Sequence, residues 1–376
     1  MKITLAAKDL ACALKSAALL VETRTTIPIL AHALVDANPA GGIAITTTNL
    51  DQTFTAALDA TVSEAGRFTV PVRNLLAVAS DADGMVEIES ETAKDKLPSV
   101  TVRFGRSSIK LSGLPPEDFP KLIDKKRPCV FDLGASDLRH LIDMTQRCIS
   151  TEETRYYLNG LYLHAAGNPK EPRSLCIVAT DDHRLAKADL PTSMRATKIP
   201  PVIIPKLTVS VLRRLIDKAK EPIAVELSDD HGACLRFSSG NWSLISKDID
   251  GTFPDYGRVI PTQNKNHVEI AKADLLRTIK QVGKIVSKTP GLRFDINQNS
   301  IEVIGRTEDL GTASSNIDCR SNLTMEIGLN WRYVLDAIEV MAGDTVVLDI
   351  AKNTDPVVIR DPADANYLHV LMPMRV

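Results

Sequence analysis

The sequence predicts an α+β fold of three similar domains, each with two helices packed on antiparallel sheets. Three observations carry this reading. Residues 3–10, 130–138 and 268–275 repeat one pattern, an alternating strand, a brief turn, then an Asp that opens a helix. The three residues, Asp9, Asp137 and Asp274, lie 128 and 137 positions apart, which is a domain-sized interval. A second strand and helix follow inside each third, so every third holds two such units.

In chain order, each Asp is expected as a helix N-cap, where its carboxylate would satisfy free amide donors. Behind it the apolar positions recur at matching offsets. They are Leu10, Leu14, Ala17 and Val21, then Leu138, Ile142, Thr145 and Ile149, then Leu275, Ile279, Val282 and Val286. Such spacing places one stripe on one helix face. The second units read as strands ending in Pro71, Pro205 and Gly328, with Pro or Gly breaking the ladder so that a helix can begin. The six helices are expected over 9–21, 73–80, 137–149, 208–220, 274–286 and 331–341. Stretches 42–46, 100–104 and 346–350 alternate with period two, as strands with one buried face do. The acidic stretch 81–95 reads as a solvated loop, and 121–128 and 257–266 read as linkers. Domain boundaries are therefore expected at 1–125, 126–260 and 261–376.

With 376 residues and 44% hydrophobic content, the chain fits two or three well-cored domains. Its six Cys form no CxxC pair, which fits reduced thiols better than a disulfide scaffold. No signal-like apolar segment opens the chain, and no apolar run approaches the ~20 residues of a membrane span. The expectation is a soluble, cytoplasmic protein. Net charge is only −2, so global basicity does not announce a nucleic-acid partner. The charge is unevenly placed, however. The expected helices carry 0, +1, 0, +3, +2 and −1 in order, hence +5 together. Arg277, Lys280 and Lys284 fall on one face, opposite the apolar stripe. Solvated helix faces are one reading. The other is a polyanion surface built of helices, which gives affinity for phosphates without sequence readout.

Five local motifs then resemble one family. They are Thr25-Thr26-Ile27-Pro28-Ile29-Leu30, Arg155-Tyr156-Tyr157-Leu158-Asn159-Gly160, Ala179-Thr180-Asp181-Asp182-His183-Arg184-Leu185-Ala186, Phe253-Pro254-Asp255-Tyr256 and Leu371-Met372-Pro373-Met374-Arg375-Val376. In order and spacing, over the whole chain, they are similar to the bacterial DNA polymerase III beta subunit, the sliding clamp. The resemblance implies the DNA clamp fold, with two three-domain subunits joined head to tail into a ring around duplex DNA. It implies a non-catalytic processivity factor with no cofactor, no metal and no catalytic residue. Its implied partners are DNA without sequence preference, a second copy, the replicative polymerase, a clamp loader, and repair and translesion polymerases that present short peptide motifs.

By the same resemblance, DNA contact is expected at Arg24, Arg73, Tyr156, Tyr157 and Lys206. The partner-peptide pocket is expected from Leu158, Thr180, His183, Arg184, Leu185, Pro254, Arg258, Val259, Asn330, Tyr333, Pro356, Val370, Met372, Pro373, Met374 and Arg375. In it, apolar walls capture an anchor, unbranched Met side chains adapt to different ligands, and Arg and Asn orient the peptide backbone. The dimer joint is expected at Ile109 and Leu111 on one side and Ile285 and Val286 on the other. Two segments depart from the family pattern. Glu152 and Glu153 place acid where phosphate would pass, and Asp182 stands where the family usually has Gly.

Two rival readings remain at this level. Asp181-Asp182-His183 could form an acid/base or metal corner, although His183 has no second His at ligand spacing and His231-Gly232-Ala233-Cys234 is isolated. Nuclease or ATPase activity lost in His183→Ala would favour it. A repeat-built scaffold that never encircles DNA is the other, and oligomeric state separates it.

Overall fold

A computed structural model describes residues 1–22, 25–39, 41–91, 97–120, 127–168, 171–191, 199–228, 234–286, 290–307 and 311–376. Six α-helices are present among them: α1 (Ala7–Ala17), α2 (Val72–Asp81), α3 (Ala135–Thr145), α4 (Lys206–Ile216), α5 (Lys272–Ile285) and α6 (Trp331–Glu339). All twelve stripe positions named above are buried, including Thr145, whose hydroxyl donates to the Leu141 carbonyl at 2.7 Å.

The helices begin one or two residues earlier than expected, apart from α6, and this corrects the role of the three Asp residues. Asp9, Asp137 and Asp274 sit in the first turn rather than at the cap, and Ala6 and Ala271 are the caps of α1 and α5. The carboxylates still face the positive end of the helix dipole, which favours them without a capping hydrogen bond. Redrawn on the observed helices, the charges are +1, 0, −1, +3, +3 and −1, again +5 in sum.

The chain groups into two compact units, Met1–Leu138 with Leu207–Asp248, and Arg139–Lys206 with Ile249–Val376. The first unit holds two antiparallel sheets. A five-stranded one runs Thr61–Glu64, Lys2–Ala6, Met85–Glu91, Ser99–Phe104, Ser107–Ser112. Met85–Glu91 corrects the expected acidic loop. Val86 and Ile88 point into the core, while Glu87 and Glu89 point outward to Arg103 at 3.0 and 2.5 Å. Outward acids had masked a period-two pattern that ordinary cross-strand charge pairs support.

The eight-stranded sheet joins Trp242–Lys247 to Gln52–Leu58, with Leu244 opposite Phe54. A buried polar cluster sits beside this joint. The Gln52 amide donates to Thr208 at 3.3 Å, and the hydroxyls of Thr208 and Ser246 are 2.6 Å apart. Within the motif 25–30 a 3₁₀ turn, Pro28–Ala31, forms rather than a strand, because Pro28 fixes φ and offers no N–H to a ladder.

The second unit is built on one twelve-stranded sheet. Its joint pairs Arg184–Pro191 with Asp364–Leu371, and Ala186 lies opposite His369. The middle third of the chain thus gives four strands to the eight-stranded sheet and four to this one. Packing regroups what the repeat divides in three. All six cysteines are free. Among the described residues no helix is long and apolar enough to cross a membrane.

Candidate functional site

The residues expected to form a pocket divide into a floor and a rim. Leu158 ends the 3₁₀ turn Glu153–Leu158, Leu185 is the second residue of the strand Arg184–Pro191, and Val370 lies near the end of Asp364–Leu371. They meet in one apolar cluster with Cys176, Val178, Ile203 and Phe253, and Leu158, Leu185 and Val370 are each at most 2% exposed. Tyr162 stacks on Phe253 at 4.6 Å between ring centres. These side chains are a floor rather than an open wall. Of the other residues expected there, His183, Pro254, Arg258, Val259 and Met372 are exposed and Pro373 is half-buried. Met372 is anchored through its N–H, which donates to the His183 carbonyl at 2.9 Å.

The turn 181–183 is drawn tight by its own side chains. Thr180 Oγ1 donates to the Arg184 carbonyl at 2.8 Å, and the Asp181 carboxylate accepts the N–H groups of His183 and Arg184 at 3.1 Å each. Asp182 has φ +70°, the left-handed conformation that Gly adopts freely and Asp tolerates. Its carboxylate ion-pairs with Arg155, which also reaches Glu152 at 3.6 Å. Both acidic departures therefore share one arginine, and the acid of Glu152 is partly offset where phosphate was expected to pass.

Arg184 is held largely from within, its side chain 9% exposed. Nε donates to Asp181 at 3.0 Å, one Nη to Asp336 at 2.6 Å and the other to the Arg147 carbonyl at 2.5 Å, with the guanidinium 4.1 Å from the Tyr333 ring centre. These contacts fix the guanidinium in place, with three of its five N–H donors engaged inside the protein. Asn330 is the N-cap of α6, its Oδ1 accepting from the Arg332 N–H at 3.1 Å. Pro356 is half-buried, and its carbonyl accepts from Asn264 at 2.9 Å. Met374 and Arg375 lie against the strands Gly291–Ile296 and Met325–Asn330. The supporting residues Arg147 and Asp336 were invisible in the sequence, since Asp336 is 152 positions from Arg184.

Beneath this network lies His369, wholly buried. Its Nδ1 faces Cys148 Sγ at 3.9 Å and the Tyr367 hydroxyl at 3.4 Å, and Nε2 has no partner. Burial, reinforced by Arg184, pulls its pKa down to about 3. The unfolded chain takes up that proton near 6.5, so it binds more protons than the folded chain between these values. This imidazole therefore costs stability as pH falls from about 6.5 towards 3, by up to ~1.4 kcal/mol per pH unit. We expect His369→Gln to flatten the fall of the urea midpoint in that window, and an unchanged slope would contradict the assignment.

Of the residues expected at DNA, Arg24 lies outside the described residues. Arg73 is exposed near the start of α2, and its guanidinium donates to the Val21 carbonyl at 3.1 Å. Tyr156 is 53% exposed, with Tyr157 edge-on at 5.9 Å and packed against the apolar floor. Gly251 makes room for this pair, since a Cβ there would sit 2.9 Å from Tyr157 Cβ. Lys206 is the exposed first residue of α4, where its charge opposes the helix dipole. On α5, Arg277, Lys280 and Lys284 are exposed as expected, but Arg277 pairs with Asp274 at 2.7 Å and Lys280 with Glu339 at 2.8 Å.

At the expected joint, Ile109 and Leu111 are half-buried on the edge strand Ser107–Ser112, and Ile285 is 48% exposed at the end of α5. Val286 is not available. It is fully buried under Gly305, where a Cβ would come within 2.8 Å of it, so it belongs to the core.

Three family models match in order: the N-terminal domain of the DNA polymerase III beta subunit over residues 1–123, the central domain over 132–255 and the C-terminal domain over 257–375. The beta sliding clamp of Caulobacter vibrioides is 33% identical over 378 residues, covering all of both chains. That of Escherichia coli K12 is 31% identical over 94% of each. A crystal structure of the Caulobacter crescentus beta sliding clamp superposes with a TM-score of 0.94 at 33% identity, covering 100% of this chain and 99% of that one. A Bartonella birtlesii sliding clamp bound to griselimycin superposes with a TM-score of 0.93 at 34% identity, with both chains fully covered.

Proposed function

Because the chain belongs to the DNA polymerase III beta subunit family, we propose that its surface residues divide between closing a ring, touching DNA lightly and holding partner peptides. The chain is a DNA sliding clamp, a non-catalytic subunit that tethers the polymerase to duplex DNA. The observation that carries this is end-to-end similarity, with three domain models in order along one chain. A cytoplasmic location is part of the proposal.

A ring holds DNA by topology, so tight contacts would only slow its sliding. The charge distribution suits that demand. Helices carry +5 in a chain of −2, and part of that charge is already paired, which favours weak phosphate contact. Arg73, Tyr156 and Lys206 are the described side chains we assign to it, with Tyr157 supporting Tyr156. Tethering then raises the polymerase's effective concentration at its template without new chemistry.

For the pocket, the accessible rim around Met372 takes the anchor of a partner motif, while Leu158, Leu185 and Val370 set its depth. Arg184 and Tyr333 stiffen one wall. For the joint, Ile109 and Leu111 meet Ile285 of a second copy. The edge strand Ser107–Ser112 has unpaired backbone groups to offer as well. Light scattering behind size exclusion tests the ring. We expect twice the chain mass of 41.0 kDa, and a stable monomer at micromolar concentration would refute ring closure.

A further inference from the structure

We infer that a cavity beside residues 372–376 binds the carboxylate end of a peptide segment that carries an apolar side chain. The cavity measures 310 Å³, at the small end of the ~300–1,000 Å³ typical of ligand pockets. Three arginines line it, Arg293, Arg306 and Arg375, together with the apolar Ile304, Met374 and Val376. The pocket proposed above is centred instead on Leu158, Leu185 and Val370.

The sheet is shaped to hold this wall of the cavity. Met374 donates its N–H to the Gly328 carbonyl at 2.9 Å. A Cβ on Gly328 would fall 2.2 Å from the Met374 carbonyl oxygen, and one on Gly291 would fall 2.7 Å from the Val376 side chain. Gly328 was expected to punctuate a strand end, yet it lies inside the strand Met325–Asn330. Its real service is to let residues 372–376 lie flat on the sheet.

Charge then selects the ligand. Arg293 spends one Nη on Asp295 at 2.7 Å, while its buried Nε has no partner. Among the described residues, the side chains of Arg306 and Arg375 have no hydrogen-bond or ion-pair partner. Even with a carboxylate at Val376 the lining keeps net positive charge. Guanidinium forks bind carboxylates in paired, charge-assisted hydrogen bonds, and the flexible Met374 thioether adapts to an apolar neighbour. A carboxylate next to a branched alkyl side chain satisfies both halves of the lining.

The test does not use the clamp activity, so it stands or falls separately from the ring and motif pocket. Full-length protein labelled at its methionine methyls is titrated with N-acetyl-leucine and, in parallel, with N-acetyl-leucinamide. We expect the acid to shift the Met374 methyl resonance, assigned with Met374→Leu, and the amide to shift it much less. Arg306→Gln, an exposed strand position, should weaken acid binding about tenfold without changing the thermal midpoint. Equal shifts from acid and amide would overturn the proposal. So would no shift at all, the result expected if a second copy covered the cavity.

Discussion

Loaded onto nicked circular DNA, the protein is expected to stay with it through gel filtration in moderate salt, and cutting that circle once should release it. The contrast follows from how each kind of binding responds to ions. A protein held by six or more phosphate contacts loses on the order of 10³-fold in affinity between 50 and 200 mM salt. A closed ring loses nothing until it meets an end. The described cations assigned to DNA are Arg73 and Lys206 alone, and two of the three exposed cations on α5 are already paired, so direct affinity should be low. Equal retention on cut and uncut DNA would contradict encirclement. Equal loss from both, in the presence of a loader and ATP, would do the same.

The second large effect concerns residues 372–376. Their removal should weaken binding of a motif peptide by about 100-fold or more, equivalent to ~2.7 kcal/mol, while leaving a dimer. The preceding strand ends at Leu371, and the buried Val370 and Leu371 remain to hold the sheet. What disappears is the exposed Met372 together with its tie to the His183 carbonyl. Undiminished affinity, measured by fluorescence anisotropy, would remove Met372 and its neighbours from the pocket. Loss of the dimer would instead mean that these residues support the joint.

Much of the fold was legible because it rests on periodicity. Twelve stripe positions read from spacing are all buried, since a helix that turns its apolar face outward gains nothing from packing. The errors have local causes. Helix starts were placed at Asp because a carboxylate favours both the cap and the first turn, and spacing does not separate the two. Met85–Glu91 was hidden by the Glu residues on its solvent face. Val286 was assigned to an interface by likeness, yet Gly305 opens a space that it fills from within. The site was less legible than the fold. Leu158, Leu185 and Val370 do converge, but Arg184 proved to be held by Asp181, Asp336 and the Arg147 carbonyl. No pattern in a linear chain announces a bond across 152 residues, because tertiary pairing leaves no periodic trace.

The middle repeat divides its strands equally between two sheets, and this limits how the protein can be dissected. Expressed alone, that segment would not be a miniature of the whole. Its outermost ribbons at Trp242–Lys247 and Arg184–Pro191 would lose the neighbours that now cover them, and raw hydrogen-bonding borders of that kind invite aggregation. Protein engineers who wish to shorten or permute this chain should cut within the surface turns of a sheet, where no ladder is severed, rather than at the seams the repetition suggests.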